Sequence, residues 1–120
     1  MSDAWTNSPE NIAAILERWR GSKAQAVAYT VSHGVLMLRL YPAHPTSARC
    51  AYIQCKDCQT IQLYQTDWER ADISISSSPH RLGTIYTIID PGRLHVVCWS
   101  VFLIESDTRI DFHREWSDRK

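Results

Sequence analysis

The apolar positions of this chain follow two spacings, first that of a helix and then that of β-strands. Within residues 9–20, apolar side chains recur three and four residues apart, as they do on one face of a helix. They are Ile12, Ile15, Leu16 and Trp19. Ser8 and Pro9 are typical of a helix start, and Gly21 is typical of the residue just past a helix end. The pattern predicts an amphipathic helix over 9–20, whose apolar face needs another element to cover it.

After residue 21 the chain is a series of strand-like segments. Val27, Tyr29 and Val31 fall on one face of a strand over 25–32, and in 35–41 Leu36, Leu38 and Leu40 alternate with Val35, Met37 and Arg39. The segment 71–77 alternates fully, which predicts a strand with Ala71, Ile73 and Ile75 facing inward. A His-Gly pair between the first two segments indicates a hairpin. In 108–116, apolar side chains alternate with charged ones, which predicts a half-exposed strand at a sheet edge.

The segment 93–105 is apolar at both sets of alternating positions. Such a run is typical of a strand that is covered on both faces and lies inside a sheet. A buried helix would show a similar run, but Asp90-Pro91-Gly92 before it is a turn signal and 85–89 is itself strand-like. We predict a hairpin of the two segments, with 93–105 as an interior strand.

Two short apolar segments, 50–55 and 60–65, enclose a Lys-Asp pair that is typical of a turn. A loop that includes Cys58 would bring Ile53 opposite Ile61 and gather the apolar side chains on one face. We therefore predict a hairpin in this register, with Cys58 in its loop.

These elements predict a single domain over residues 1–120, since a chain of this length buries a core without needing disulfides or metals. The predicted fold class is α+β, predominantly β, with an N-terminal helix packed on a twisted antiparallel sheet of about seven to eight strands. A sheet of that size also curls or splits, so a β-sandwich or a partly open barrel is the alternative. In the turn at 66–70, Trp68 is predicted to anchor the chain to the core.

The charges and the apolar runs exclude several classes of partner. Thirteen Lys and Arg residues balance thirteen Asp and Glu residues without a basic run, so little is available to hold a phosphate backbone. The first residues lack the features of a signal peptide, and no apolar run has the length of a membrane span. We expect a cytoplasmic protein that binds neither nucleic acid nor membrane, with its four cysteines as thiols or metal ligands.

The cysteines form the sharpest local motif, Cys50-x4-Cys55-x2-Cys58, with Cys98 in the interior strand. Zinc prefers four thiolate or imidazole ligands, and a Cys-x-x-Cys pair at a hairpin loop supplies two of them. Cys98 or His95 would add to the site if the loop folded over the interior strand, and Cys50 is a further candidate ligand. The alternative is that Cys50, Cys55 and Cys98 are small core residues and Cys58 is an exposed thiol, with no cofactor.

No catalytic motif is present, so we assign no catalytic residue and expect a protein that is not an enzyme. The alternative is a small enzyme or ligand-binding protein with His95 or Cys98 in a cleft. These two positions point to opposite faces of a regular strand, because their separation is odd.

The chain is rich in tryptophan, with five in 120 residues. Trp5 precedes the predicted helix, and Phe112 and Trp116 lie on the predicted edge strand. Aromatic side chains are common in interface hot spots, and edge strands pair readily with another chain. Our leading hypothesis is a small binding module that acts through protein–protein contact or as a homodimer, with Trp5, Phe112 and Trp116 as interface residues. A zinc-stabilised module is the second hypothesis.

Overall fold

A computed structural model describes residues 4–30, 34–42 and 49–107 of the chain. Their elements, in order, are α1 (Pro9–Arg18), β1 (Lys23–Thr30), β2 (Val35–Tyr41), β3 (Cys50–Leu63), β4 (Asp67–Trp68), β5 (Ser74–His80), β6 (Gly83–Asp90) and β7 (Leu94–Ser106). The seven described strands form one antiparallel sheet in the order β4-β1-β2-β3-β7-β6-β5. This sheet does not close into a barrel. The predicted α+β, predominantly β, architecture is confirmed.

The helix α1 begins as predicted and ends two residues earlier than predicted. The Ser8 side chain accepts a hydrogen bond from the Asn11 backbone N–H, and Pro9 occupies the first turn. Trp19 leaves the helical conformation, although its backbone N–H still donates to the Ile15 carbonyl at 3.1 Å. Gly21, with φ of +83°, then turns the chain into β1, which is a conformation that glycine adopts readily.

The sheet carries hydrophobic side chains on both faces. The face covered by α1, here called the α1 face, holds the main core, which includes Leu38, Ile53 and Leu103 together with the buried helix residues. The other face, here called the opposite face, holds a smaller buried cluster. That cluster consists of Met37, Tyr52 and Ile104, with Trp5, Val27, Ala28 and Cys50 packed against it.

The strand β7 lies between β3 and β6, which confirms the prediction of an interior strand that follows β6 in a hairpin. Burial on both faces is one reason why β7 has apolar residues at both sets of alternating positions, and a second reason is the shape of the strand. The main core contains Leu94, Val96, Cys98, Val101 and Leu103. Because the separation between Cys98 and Val101 is odd, the set of positions that faces α1 changes between them. The apolar run therefore reflects a local irregularity of the strand as well as burial on both faces.

The predicted hairpin between 50–55 and 60–65 is wrong, because 50–55 and 60–63 belong to the single 14-residue strand β3. Ile53 pairs with Leu103, and Ile61 pairs with Val96, so both lie beside β7 rather than beside each other. Asp57 adopts a left-handed φ of +54°, and the register with β7 shifts between Cys58 and Thr60. The Lys56-Asp57 pair is therefore part of a bulge within a long strand and not a hairpin turn, since β7 is a continuous partner of 13 residues.

The turn predicted at 66–70 contains the two-residue strand β4, which pairs with β1. Trp68 is buried, as predicted for an anchor, and its Nε1–H donates to Asp90 Oδ2 at 2.7 Å. The Asp72 backbone N–H donates to the same oxygen at 2.9 Å. Asp90 therefore ties two segments together besides preceding the Pro91-Gly92 turn.

The strand predicted at 108–116 lies outside the described residues. Within the described part of the chain, no helix has both the length and the apolar character that crossing a bilayer requires.

Candidate functional site

The strand β5 forms one edge of the described sheet and pairs with β6 on one side. Residues 74–79 read Ser-Ile-Ser-Ser-Ser-Pro and carry no charged side chain. All of them except Ile75 are exposed. Natural edge strands are commonly protected by charged residues, prolines or bulges, because their free N–H and C=O groups pair readily with another chain. Here protection is limited to Pro79, near the end of the strand.

A groove of about 300 Å³ runs between α1 and β5 and is here called the α1–β5 groove. Its apolar lining consists of Pro9, Ile12, Ala13, Leu16, Ile73, Ile75 and Tyr86. Its polar lining comes from serines of β5 and from Asn7, Glu17 and Arg20. A concave site with an apolar lining and a few polar groups is the usual form of a binding site.

The groove is built on segments that are tied to each other. The Gly21 backbone N–H donates to the Ala71 carbonyl, and the Ala71 N–H donates to the Ser22 carbonyl, both at 2.8 Å. Arg20 extends this connection, since its guanidinium binds Glu17 at 2.9 Å and Asp72 at 2.5 Å. These ion pairs raise the pKa of Arg20, most of all through the hydrogen bond to Glu17. The two backbone hydrogen bonds therefore hold the end of α1 beside the segment that leads into β5.

Three of the four predicted zinc ligands converge on the α1 face. Cys98 lies directly across from Cys58 in the β3–β7 ladder, and Cys55 belongs to the same core. The Cys58 thiol donates to the Cys55 carbonyl at 3.5 Å. Cys50 packs against the cluster on the opposite face, so it is separated from the other three. Within the described residues, no group of three Cys, His, Asp or Glu side chains has an arrangement that could hold a metal ion.

The environment of these thiols keeps them protonated. A hydrogen bond with Cys98 and burial raise the pKa of Cys58 well above its ordinary value. A hydrogen bond with Cys55 and burial raise the pKa of Cys98 to about 12. Since the thiolate is the reactive form, both cysteines are poor nucleophiles at neutral pH.

The structure does not bring His95 and Cys98 into a common cleft. Leu94, Val96 and Cys98 face α1, so His95 points to the opposite face, where it is half-buried. Its neighbours in the ladder are Gln62 and Ile89. A site that used both side chains would have to span the sheet.

Of the predicted interface residues, Trp5 is described and Phe112 and Trp116 lie outside the described residues. Trp5 is half-buried and packs against the Met37, Tyr52 and Ile104 cluster. Next to it, Thr6 pairs with Leu103 through two backbone hydrogen bonds of 2.8 and 2.9 Å. Much of the Trp5 ring therefore has a packing role.

A larger cavity, of about 520 Å³, lies at the C-terminal end of α1 and is here called the arginine cavity. Its lining includes Arg18, Arg20, Arg49, Trp19, Ser22 and Glu105. Sequence reasoning missed this site, because Glu105 is 87 residues from Arg18 along the chain. The one local signal was the pair Arg18 and Arg20 at the end of the predicted helix. Basic residues at that position are usually explained by their favourable interaction with the helix dipole.

Glu105 is the most constrained charged group in the arginine cavity. Its carboxylate accepts two hydrogen bonds from the Arg18 guanidinium, at 2.6 and 3.0 Å, and one from Trp19 Nε1 at 2.7 Å. The hydrogen bond from Arg18 is the main cause that lowers the pKa of Glu105, although burial opposes the shift. The same pair raises the pKa of Arg18. Glu105 is thus ionised at neutral pH and fixes the positions of both donors.

Comparison with known protein families, with curated proteins and with solved structures finds no match for this chain.

Proposed function

We propose that this protein is an interaction module that binds an extended segment of a protein partner by strand addition at β5. The observation that carries the proposal is an uncharged edge strand beside the α1–β5 groove. In strand addition, main-chain hydrogen bonds supply affinity, and pockets for alternate side chains supply specificity. A segment with apolar residues at every second position would suit both parts of this site.

A second copy of the chain is one such partner. Two β5 strands that pair antiparallel about a two-fold axis form an isologous contact, in which the same residues meet from both sides. Residues 74–79 would then oppose one another without placing like charges together. Homodimerisation is therefore the first form of the proposal to test.

The test adds two lysines to the edge strand and compares them with two lysines added elsewhere on the same face. Ser76→Lys with Ser78→Lys alters exposed positions of β5. Thr60→Lys with Gln62→Lys alters exposed positions of β3, which lies inside the sheet. Lysines on an edge strand oppose pairing with another strand, so the β5 variant should lose binding and the β3 variant should keep it.

Size-exclusion chromatography with light scattering detects a dimer. A comparison of the proteins captured by the wild type and by each variant detects another partner. A dimer in the wild type and the β3 variant, with a monomer in the β5 variant, supports self-pairing. A protein captured by the wild type and the β3 variant, but lost from the β5 variant, supports a different partner. A monomeric wild type whose captured proteins are unchanged in the β5 variant contradicts the proposal.

A zinc-stabilised module is the second candidate, supported by the proximity of Cys55, Cys58 and Cys98 in one core. Their described arrangement is not that of a metal site, so zinc binding would require these side chains to reorient. Zinc binding would require the protein to displace the thiol protons and to supply a further ligand. The zinc content of untagged protein, measured with a thiol count on the same sample, tests it. One zinc per chain with masked thiols supports the site. A metal-free protein with four countable thiols contradicts the zinc site and leaves the cysteines with a packing role.

A further inference from the structure

The arginine cavity adjoins the α1–β5 groove of the proposed strand-binding site, since Arg20 lines both. The described residues of its lining contain three guanidinium groups, those of Arg18, Arg20 and Arg49, and one carboxylate, that of Glu105. Glu105 already accepts three hydrogen bonds from Arg18 and Trp19. Among the described lining residues, guanidinium groups therefore outnumber carboxylates.

Among the described residues, three further acids pair with Arg20 and Arg49, and none of the three lines the cavity. Glu17 and Asp72 bind Arg20, and Asp107 binds Arg49 at 2.8 Å. The side chains of the three acids are 72%, 61% and 77% exposed, respectively. Ion pairs with such exposed partners are weak and are screened by water and salt. An anion in the cavity would thus compete with them at little cost.

The buried hydroxyl group of Ser22 points to a ligand in the arginine cavity independently of the charges. Ser22 lines the arginine cavity and is 5% exposed, and its Oγ has no hydrogen-bond partner among the described residues. Its backbone is engaged, since the N–H donates to the Trp19 carbonyl at 3.1 Å and the carbonyl accepts from Ala71. Buried hydroxyl groups in native proteins nearly always have a partner. An acceptor bound in the cavity would supply one.

We propose that the arginine cavity binds a small ligand through an oxyanion, either a carboxylate or a phosphate. Arg18 and Arg49 donate charge-assisted hydrogen bonds to this group, for which the planar guanidinium is well suited. The Ser22 hydroxyl donates a further bond. Glu105 acts as a positioning residue, because its carboxylate holds Arg18 and the Trp19 indole at the wall of the cavity.

The experiment is a titration of the full chain, labelled with ¹⁵N, that follows the indole N–H signal of Trp19 by NMR. The probes are inorganic phosphate and citrate, and sodium chloride at the same ionic strength is the reference. A saturable shift with phosphate alone indicates a phosphate-bearing ligand, and a shift with citrate alone indicates a carboxylate. A shift with both supports the oxyanion site in general. A response no larger than that to sodium chloride overturns the proposal.

Variants locate the binding within the molecule. Arg49→Gln is expected to weaken binding of the effective probe about tenfold, which is typical of one charge-assisted bond. Ser22→Ala is expected to weaken it about threefold, and it leaves the fold intact because it removes a group without a partner in the described structure. Arg81→Gln removes the same charge from the exposed β5–β6 turn and should change nothing. Equal loss in Arg49→Gln and Arg81→Gln would show a general charge effect and overturn the site.

Discussion

Trp68 and Asp90 lie 22 residues apart in the sequence and meet through a hydrogen bond of 2.7 Å from the indole N–H to the carboxylate. Asp90 is 2% exposed and accepts a second bond from the Asp72 backbone. The pair connects the end of β6 to β4 and to the segment that leads into β5. It therefore ties the segment that leads into the proposed strand-binding edge to the end of β6.

Replacing Asp90 by alanine is expected to lower the free energy of unfolding by about 3 kcal/mol, because it leaves the buried Trp68 N–H without its acceptor. Urea denaturation measures the change. Asp67→Ala removes an exposed carboxylate from the neighbouring strand β4 and is expected to cost about 0.5 kcal/mol or less. Equal effects of the two substitutions would contradict the structural role of Asp90.

The lowered pKa of Glu105 predicts a pH dependence of stability. Its folded pKa is below the unfolded value of about 4.3, so the folded state binds fewer protons in that range. The stabilisation by Glu105 is therefore present above the unfolded pKa and is lost as the pH falls through the folded pKa.

The measurement is urea denaturation of the wild type and Glu105→Gln between pH 7 and pH 3. The difference in unfolding free energy is expected to be constant near neutral pH and to shrink as Glu105 protonates. Parallel curves over the whole range would show that the Arg18 and Trp19 contacts do not perturb this carboxyl group.

Gly34 approaches the backbone of β3 closely, and this predicts an intolerance of alanine. Its carbonyl accepts from the Cys58 N–H at 2.9 Å, its φ is +57°, and an added Cβ would lie 3.1 Å from the Cys58 nitrogen. Gly34→Ala is expected to cost about 2–3 kcal/mol, through the left-handed conformation and the close contact. Gly92→Ala is the matched control, since φ is +76° there and no atom lies within 4 Å of the added Cβ. Thermal or urea denaturation should give about 1 kcal/mol for the control, and equal costs would contradict the close approach.

The raised pKa of Cys98, about 12, predicts slow alkylation. At pH 8 a far smaller fraction of such a thiol is ionised than the quarter or so expected at the ordinary pKa of about 8.5. Site-resolved mass spectrometry after brief iodoacetamide treatment should show a rate at Cys98 that rises steadily from pH 7 to pH 10. The same chain in urea is the control and should level off above the ordinary pKa. A plateau in the folded protein at that same pH would contradict the hydrogen-bonded thiol arrangement.

The candidate sites were accessible to sequence reasoning to different degrees. The motif drew attention to Cys55, Cys58 and Cys98, and the structure brings them together. They meet as neighbours across the β3–β7 ladder and its bulge rather than at a hairpin loop. For the arginine cavity, by contrast, no local pattern connects Arg18 with Glu105, because their contact depends on how α1 lies on the end of β7.

The sequence by itself determined the elements whose signals are local. Ser8 and Pro9 with the helical spacing located the start of α1, and the Pro91-Gly92 turn with the apolar runs beside it located β6 and β7. The alternation in 71–77 located β5 only in part, because that strand runs from Ser74 to His80. Tertiary structure decided how the middle of the chain is paired. The Lys56-Asp57 pair suits a hairpin turn and a bulge equally well. The choice depends on whether 50–55 pairs with 60–65 or both segments pair with β7. The long strand β7 offers β3 more backbone hydrogen bonds and a fuller core than a short hairpin would, and no local pattern contains that comparison.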